Sequence, residues 1–575
     1  MNPRTNSRFS LPVGGVVFCG TLALFLAGLA ANEILMIDTR FALFVAEMFE
    51  RGIGPYPHLY GGYYPDYNSI PTVLMAAASL LAGRISPLSL ALPGALAAAA
   101  MLAVTCRIGA EFRSTRFGVM AAMLAILSFE FFNICRIASI DLYPALAATA
   151  AFLLAWRATE RNGSLLSGGL LLCMIAGYLT RGPLGVMIPF AAAAAVPLTF
   201  RRYKPFLLLT AAAMLLTGIL AAVWLCWAYQ AGGSEFLHRV IEMQFSSRFE
   251  SGKPVWYYFT NAAGSYAVVY PLGLLAALIV LRRARLRTAP ETRDEAFLQS
   301  LALWMLLILG GMSLPGTKHL RYVVGVIPPA ALLTAAMLEN RGHNRFFRRL
   351  RKYFFLAARY FPAALLALMP LLWCTRFAAA ERLLRFNQPF DFSRCLAAIP
   401  VLALLMMLNR IPWAPRKRQF LLLTNAAVGF AVLHIAVLEE FQQATQGSAR
   451  FVAKAEQLRP ADAPLWFAGL GPDGDENKYL WNTAPERRFL PRYMLRERVL
   501  GDDGVAVSDA NGNPVFKLCF RNSSGAEVPP PRSGEWCLVR VDKWEKLFDE
   551  PFRAQYETVL TGRLGHRDAA LLRKR

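Results

Sequence analysis

The sequence has no Cys-x-x-Cys pair and no Cys/His spacing that fits a metal site, although nine cysteines are spread over its 575 residues. Most of them lie in apolar runs, where cysteine serves as a small core residue. Cys519 and Cys537 stand outside those runs; they pair if their domain faces an oxidising compartment and stay thiols otherwise. Acidic residues are scarce, with 38 Asp and Glu against 61 Lys and Arg, which leaves a formal charge of +23. A balance of that sign often marks a nucleic-acid binder. Here the cations sit in short loops between apolar runs, a membrane-topology pattern that excludes a nucleic-acid groove. No internal repeat is visible, and few charges fall in the middle of apolar runs. Both absences argue against a transporter built of paired repeats. The apolar run 11–31 follows a polar, basic start at residues 1–8, lacks a small-residue cleavage site and is long for a signal peptide. It is read as a retained first span.

What the chain has is hydrophobicity: 56% apolar residues and a mean hydropathy of +0.38. A soluble chain that apolar would expose large patches. The apolar residues gather instead into runs of about 16–25, enough to cross a hydrocarbon layer of about 30 Å as helices that satisfy their own backbone. The candidate spans are 11–32, 88–106, 116–134, 140–156, 164–180, 183–199, 206–230, 262–281, 297–313, 322–338, 354–374, 394–409 and 419–438. Basic loops occur at 107–116, 201–204, 282–287, 341–352 and 410–418. The positive-inside rule places each in the cytoplasm, and from 107 onward the spans alternate correctly with every one of them. With the basic N-terminus also inside, only one crossing fits between the first outer loop and 107. The apolar stretch 69–84 is therefore expected to lie along or dip into the outer interface. The expected fold is an all-α polytopic membrane domain of about thirteen helices, 1–440, followed by a small soluble α/β domain, 441–575, on the extracytoplasmic side. In that domain a helix near Ala449–Leu458 and the apolar runs 464–470, 515–520 and 536–541 supply the elements, and the triple proline 529–531 supplies a rigid turn. It holds no catalytic motif.

This topology puts a set of ionisable residues on one side. The first outer loop carries Asp38, Thr39 and Arg40, and later Asp66; a second, very short loop carries Arg136 and Asp141. The third reads Thr180-Arg181-Gly182-Pro183, and a later one holds Lys318, His319, Arg321 and Tyr322. Singly, each of these is explained by interfacial anchoring, because side chains at span ends snorkel to water. Asp38 and Asp141 each precede a helical run and fit helix caps. Tyr56, Tyr60, Tyr63 and Tyr64 fit an aromatic belt. Together, carboxylates and cations converging in loops this short mark a site. The chemistry they support is group transfer from a lipid phosphate: a carboxylate accepts the proton of an attacking hydroxyl, and Arg and Lys stabilise the departing phosphate. Lys318 and Arg321, three apart, are expected to reach one face of a helix end.

At these residues the sequence resembles the GT-C glycosyltransferases, in particular the branch that contains the protein O-mannosyltransferases and the aminoarabinose transferase of lipid A. The motifs are Ile37-Asp38-Thr39-Arg40-Phe41, Arg136 followed by Asp141, Leu179-Thr180-Arg181-Gly182-Pro183, the aromatic run Pro254-Val255-Trp256-Tyr257-Tyr258, and Ser313, Lys318, Arg321, Tyr322 and Pro328. They cover about residues 11–340 in the family's order; the architecture covers the whole chain. The resemblance implies an inverting transferase with Asp38 and Asp141 as catalytic residues. It implies that Arg40, Asp66, Arg136, Arg181, Lys318, Arg321 and Tyr322 bind substrate or phosphate. The implied partners are a polyprenyl-phosphate-linked sugar donor, an acceptor that is lipid A, a protein or a glycan, and membrane lipids; the implied place is the cell inner membrane. A transporter or flippase of lipid-linked sugars is the alternative. Three departures stand out. The family's acidic pair is reduced to Asp38. Its Glu-Lys-Pro motif reads Pro65-Asp66-Tyr67, without the lysine, which shifts phosphate binding towards Arg181, Lys318 and Arg321. The histidine that some members carry before the aromatic run is Ser251 or Gly252, so a metal site using that histidine is not expected to be preserved; no cofactor is assigned with certainty, and a divalent metal ion stays open as a candidate.

Overall fold

The computed structural model describes residues 11–575 apart from 162, 247, 249–251, 285–289, 340–344, 461, 469, 471–474, 486–490, 499–515 and 523–525. The basic N-terminus 1–8, Ser251, residue 515 and parts of the basic loops 282–287 and 341–352 lie outside the described residues. Each of the thirteen predicted spans coincides with helix. Among the described residues, eight helical stretches are long and apolar enough to cross a membrane: Val13–Ala31, Pro87–Phe112, Tyr203–Gln244, Arg293–Ser313, Leu320–Glu339, Arg345–Trp373, Ser393–Arg410 and Lys417–Leu458. They include α1 (Leu11–Leu26), α4 (Pro87–Phe112) and α10 (Tyr203–Ile241). The other five coincide with α5 (Thr115–Ile126), α7 (Leu142–Glu160), α8 (Gly168–Arg181), α9 (Pro183–Thr199) and the helix Val269–Arg283, which have 12 to 19 residues.

Local chemistry sets the breaks. The predicted span 262–281 is two helices, Tyr257–Ser265 and Val269–Arg283, with Val268 at a φ of 70° between them. α10 is broken at Gly232 and Gly233; Gly233 has a φ of 66°, a conformation glycine adopts without steric cost. The stretch 69–84 forms α3 (Ile70–Leu81). It packs on α4, where the Ser79 hydroxyl meets the Ser89 hydroxyl at 2.9 Å. α8 and α9 cross at Gly177 and Gly185, so closely that a Cβ on Gly185 would lie 1.9 Å from the Gly177 carbonyl oxygen. That crossing, with the left-handed Gly182 in the turn, fixes where Arg181 points.

Arg136 does not reach the site expected of it. Its guanidinium is buried, donates to the carbonyls of Leu24 (3.0 Å), Phe25 (2.8 Å) and Ala27 (2.7 Å), and pairs with both oxygens of Glu439. The last carbonyls of a helix have no partner of their own, and Arg136 supplies one for α1. Asn32 donates to the same Glu439 at 3.2 Å.

The helical part runs through Glu439–Gln446, and the following helix, Ala449–Leu458, begins the C-terminal domain. Its sheet has the order β5-β4-β3-β6-β8-β7, with β3 (Leu465–Ala468), β4 (Arg492–Arg498), β5 (Phe516–Asn522), β6 (Trp536–Arg540), β7 (Tyr556–Leu564) and β8 (Arg567–Lys574). The strand β3 is parallel to both neighbours, β4 and β6; the other pairs are antiparallel. Cys519 on β5 and Cys537 on β6 are separated by two strands, roughly 14 Å at normal strand spacing. A disulfide needs Cα atoms within about 7 Å, so these two do not pair. α2 (Asp38–Arg51) lies between the bundle and this domain, sharing one core with Phe451, Phe467, Tyr479 and Leu538. Glu33, just before α2, accepts the first amides of the helix Ala449–Leu458, Ser448 at 2.9 Å and Ala449 at 3.1 Å.

Replacing Glu439 by Gln leaves the buried Arg136 charge uncompensated. The expected cost is about 3–5 kcal/mol, seen as a lowered melting temperature in detergent, whereas Arg136→Met combined with Glu439→Leu loses less than Glu439→Gln alone.

Candidate active site

The ends of the bundle differ in chemistry. Arg113, Arg116, Arg283 and Lys417 lie at one end; at the other, distal end the turns before α7, after α8 and around Leu320–Val326 come together. Asp141 occupies the position just before α7 but makes no cap there. Its carboxylate instead takes Arg181 Nε at 2.9 Å on one oxygen and Arg321 Nε at 3.5 Å on the other. Asp141 and Arg181 are buried; Arg321 is half-exposed. The Arg181 guanidinium lies over the Tyr322 ring at 4.7 Å and near the Tyr67 ring at 5.8 Å, which holds the planar fork in place.

Asp38 is the first residue of α2, and it does not cap that helix either. It reaches across to accept the Ala138 amide at 3.0 Å. Ala138 and Asp141 line one narrow recess with Phe41, Tyr67, Arg181 and Arg321. Asp38 thus lies one hydrogen bond behind the wall of a recess whose mouth carries two arginines. Burial pushes its carboxyl up from 3.8 to about 7, against the Ala138 amide, which acts to lower it. Glu47, on the same helix, is raised to about 7 by burial too, while it accepts the amides of Tyr60 and of Gly61 (2.9 Å). His319 is pulled down to about 4 by burial and by Arg321, and its ring packs edge-on against Tyr322.

A second, narrow recess lies on the other side of Tyr67 and Arg181. Asp66, Thr180 and Gln244 give it a polar side; Trp224, Leu225 and Val240 give it an apolar one. Those apolar residues belong to α10, only 11% of whose apolar window is buried. Arg181 and Tyr67 line both recesses.

Not every predicted site residue joins this arrangement. Arg40 turns to Tyr64, donating to its hydroxyl at 3.1 Å from a position over its ring. Asp66 pairs with Arg248, whose second arm reaches the Tyr322 hydroxyl at 3.3 Å. Lys318 and Arg321 do not share a face. Lys318 precedes the 3-10 turn Leu320–Val326, and its ammonium donates to the carbonyls of Lys253 (2.9 Å) and Pro315. Lys253 returns a bond to the Lys318 carbonyl at 2.6 Å. The tyrosines form no belt: Tyr56 is buried and donates to the Trp224 carbonyl at 3.1 Å, and Tyr60 donates to Asn477 in the C-terminal domain. The spacing gave no sign of Tyr67 as the shared wall or of Arg248 as the partner of Asp66. Among the described residues no group of three or more His, Cys, Asp or Glu is placed to hold a metal ion.

No family model matches the sequence. Curated relatives do. Over 322 residues, 53% of this chain and 54% of the relative, the chain is 27% identical to an undecaprenyl phosphate-alpha-4-amino-4-deoxy-L-arabinose arabinosyl transferase of Pectobacterium carotovorum subsp. carotovorum (strain PC1). It is 28% identical over 319 residues, 52% of the chain and 54% of the relative, to the corresponding transferase 1 of Sodalis glossinidius (strain morsitans). The alignments thus span about half the length of the curated relatives. In three dimensions the chain superposes on the crystal structure of ArnT from Cupriavidus metallidurans bound to undecaprenyl phosphate, with a TM-score of 0.66, 14% identity and 98% of each chain covered. The apo crystal structure of the same protein gives the same values. The chain has the fold of that protein from end to end, as the sequence resemblance implied.

The raised carboxyl of Asp38 makes stability depend on pH. The folded chain holds this proton up to about pH 7, whereas the ordinary value is 3.8. Stability contributed by the protonated form is therefore full below the ordinary value, falls as pH rises, and levels off above about 7. A melting curve taken between pH 5 and 8 should fall less steeply for Asp38→Asn than for the native chain.

Proposed function

We propose that this chain is an inverting membrane glycosyltransferase that moves a sugar from a polyprenyl-phosphate donor to an acceptor of the lipid A, protein or glycan class. The observation that carries this reading is the Asp141–Arg181–Arg321 cluster, which lines one recess together with Ala138, whose amide Asp38 holds from behind, and shares the Arg181 guanidinium with a second recess lined in part by α10. The distal end faces away from the basic loops, so the positive-inside rule puts the reaction and the C-terminal domain outside the inner membrane. The names of the relatives and the undecaprenyl phosphate bound in the superposed ArnT support the same donor class.

The residues divide the reaction as follows. The polyprenyl tail runs along α10, and its phosphate meets Arg181 where that guanidinium lines the recess beside α10, with Arg321 nearby. Asp141 holds both guanidinium groups in register, and the Tyr322 ring limits how far Arg181 swings. The acceptor oxygen attacks the anomeric carbon from the face opposite the phosphate. The bond from that carbon to the phosphate oxygen breaks, and polyprenyl phosphate leaves with the electron pair. Fixed cations at the leaving oxygens lower the barrier because they need no reorganisation as charge develops. The proton of the attacking group passes to Asp38, whose carboxyl, poised near neutrality, is ionised in part at pH 7 and is a stronger base than a water-exposed aspartate. Phosphate binding rests on arginines where the resembled family has a lysine, because position 66 is an aspartate held by Arg248.

Transfer of labelled sugar from a polyprenyl-phosphate donor, measured in reconstituted membranes, should fall about 100-fold or more in Asp38→Asn, with the bound donor retained. Full transfer by this variant removes Asp38 as the base. No transfer from any such donor by the native chain moves the reading to a flippase of lipid-linked sugars.

A further inference from the structure

The turn that carries Arg321 is held from outside. His319 is extended, with a φ of −126° and a ψ of 144°, and the 3-10 turn Leu320–Val326 starts directly after it. The carbonyls on either side of His319 are taken by side chains. Lys253 Nζ donates to the Lys318 carbonyl at 2.6 Å, and the Tyr266 hydroxyl donates to the Leu320 carbonyl at 3.0 Å. Tyr266 is fully buried and stands at the break in the predicted span 262–281. Its amide bonds to the Ala262 carbonyl at the end of the helix Tyr257–Ser265, which packs on the Leu320–Val326 turn. In a bilayer a broken helix persists only where protein groups satisfy the backbone that the break frees. Two hydroxyls brace this one: Tyr270 donates to the Tyr258 carbonyl at 2.9 Å across the break, and Thr334 donates to the Val269 carbonyl at 3.3 Å from the helix Ile327–Glu339. The bracing fixes where the Tyr266 ring stands.

We propose that Tyr266 is a positioning residue for Arg321. The Leu320 carbonyl and the Arg321 amide nitrogen belong to one planar peptide unit. Holding that carbonyl fixes the plane from which the Arg321 side chain leaves, and with it the 3.5 Å approach of Arg321 Nε to Asp141. The guanidinium is half-exposed, and the carboxylate that it meets is shared with Arg181. A long side chain held at its tip by one shared partner needs a fixed base, and Tyr266 supplies it. The inference rests on the proposed reaction, in which Arg321 stands near the departing phosphate. A preset cation stabilises developing charge without reorganising; one on a loosened turn forfeits part of that stabilisation. Tyr266 lines neither recess, so its effect passes through Arg321.

A double-mutant cycle on the full-length protein in reconstituted membranes tests this, with kcat and KM for transfer from a labelled polyprenyl-phosphate sugar as readouts. Tyr266→Phe keeps the ring and loses the bond to Leu320. It should lower kcat about 5-fold, the usual worth of one neutral hydrogen bond. Arg321→Gln should lower kcat about 100-fold. Adding Tyr266→Phe to Arg321→Gln should cost nothing further, because the cation that Tyr266 holds in place is gone. The same cycle is read a second time as the Kd for polyprenyl phosphate without sugar, which needs no transfer, and should show the same coupling. A native chain that binds polyprenyl phosphate with this coupling but transfers no sugar keeps the role of Tyr266 and removes the transferase reading. Native kcat and Kd in Tyr266→Phe, or losses that multiply in the double variant as they do for a residue that only packs, overturn the proposal. A native chain that neither binds nor transfers overturns both.

Discussion

The buried pair between Arg136 and Glu439 is the constraint on which the rest depends. It joins three parts of the chain far apart in sequence: the end of α1, the turn ahead of α7, and the helix that leads out of the bundle. A guanidinium with this many acceptors and one carboxylate leaves little uncompensated charge, so it specifies a geometry more than it adds stability. Asp141 lies five residues beyond Arg136, and Asp38 bonds to Ala138 between them. Glu33, beside Asn32 in the same cluster, anchors the first helix of the C-terminal domain. The two acidic groups of the proposed site, Asp38 and Asp141, are therefore held by a turn that is anchored by an ion pair outside the site.

The second constraint is α2. A helix buried on all its faces at its start, with Asp38, Thr39 and Arg40 inside, is held by the bundle below and by the sheet domain above. Its length from Asp38 to Arg51 links the recess wall to the Glu47–Tyr60 contact and, through Tyr60 and Asn477, to the C-terminal domain. The sheet domain is thus part of what fixes the Asp38 carboxylate in its apolar surroundings, although none of its described residues lines the recess.

How much of this was legible in the sequence follows from what kind of signal each feature leaves. Span positions are one-dimensional, and hydropathy runs located a helix at all thirteen and at the short α3 that charge parity had set apart. Strands β3, β5 and β6 showed as apolar runs for the same reason. The gathering of Asp38, Asp141, Arg181 and Arg321 was readable because loops at one end of a bundle must converge. Direction within the cluster was not. Lys318 and Arg321 are neighbours in sequence, but the chain between them is extended at His319 before the 3-10 turn begins, so the two side chains part. Arg136 looked like a ligand because its partners, α1 carbonyls and Glu439, lie more than a hundred and three hundred residues away. The tyrosines of the first loop read as interfacial, since no local pattern announces that a folded domain will cover them.

One guanidinium serves two chambers. Arg181 and the Tyr67 ring form the partition between the recess beside Asp141 and the recess beside α10. Whatever draws Arg181 towards one side takes charge from the other, so the two occupants cannot bind independently. By reciprocity, the change that the first makes in the affinity of the second equals the change the second makes in the first. An aspartate that already holds two arginines sets how far that sharing extends, and the order in which the chambers fill becomes a property of a single side chain's position.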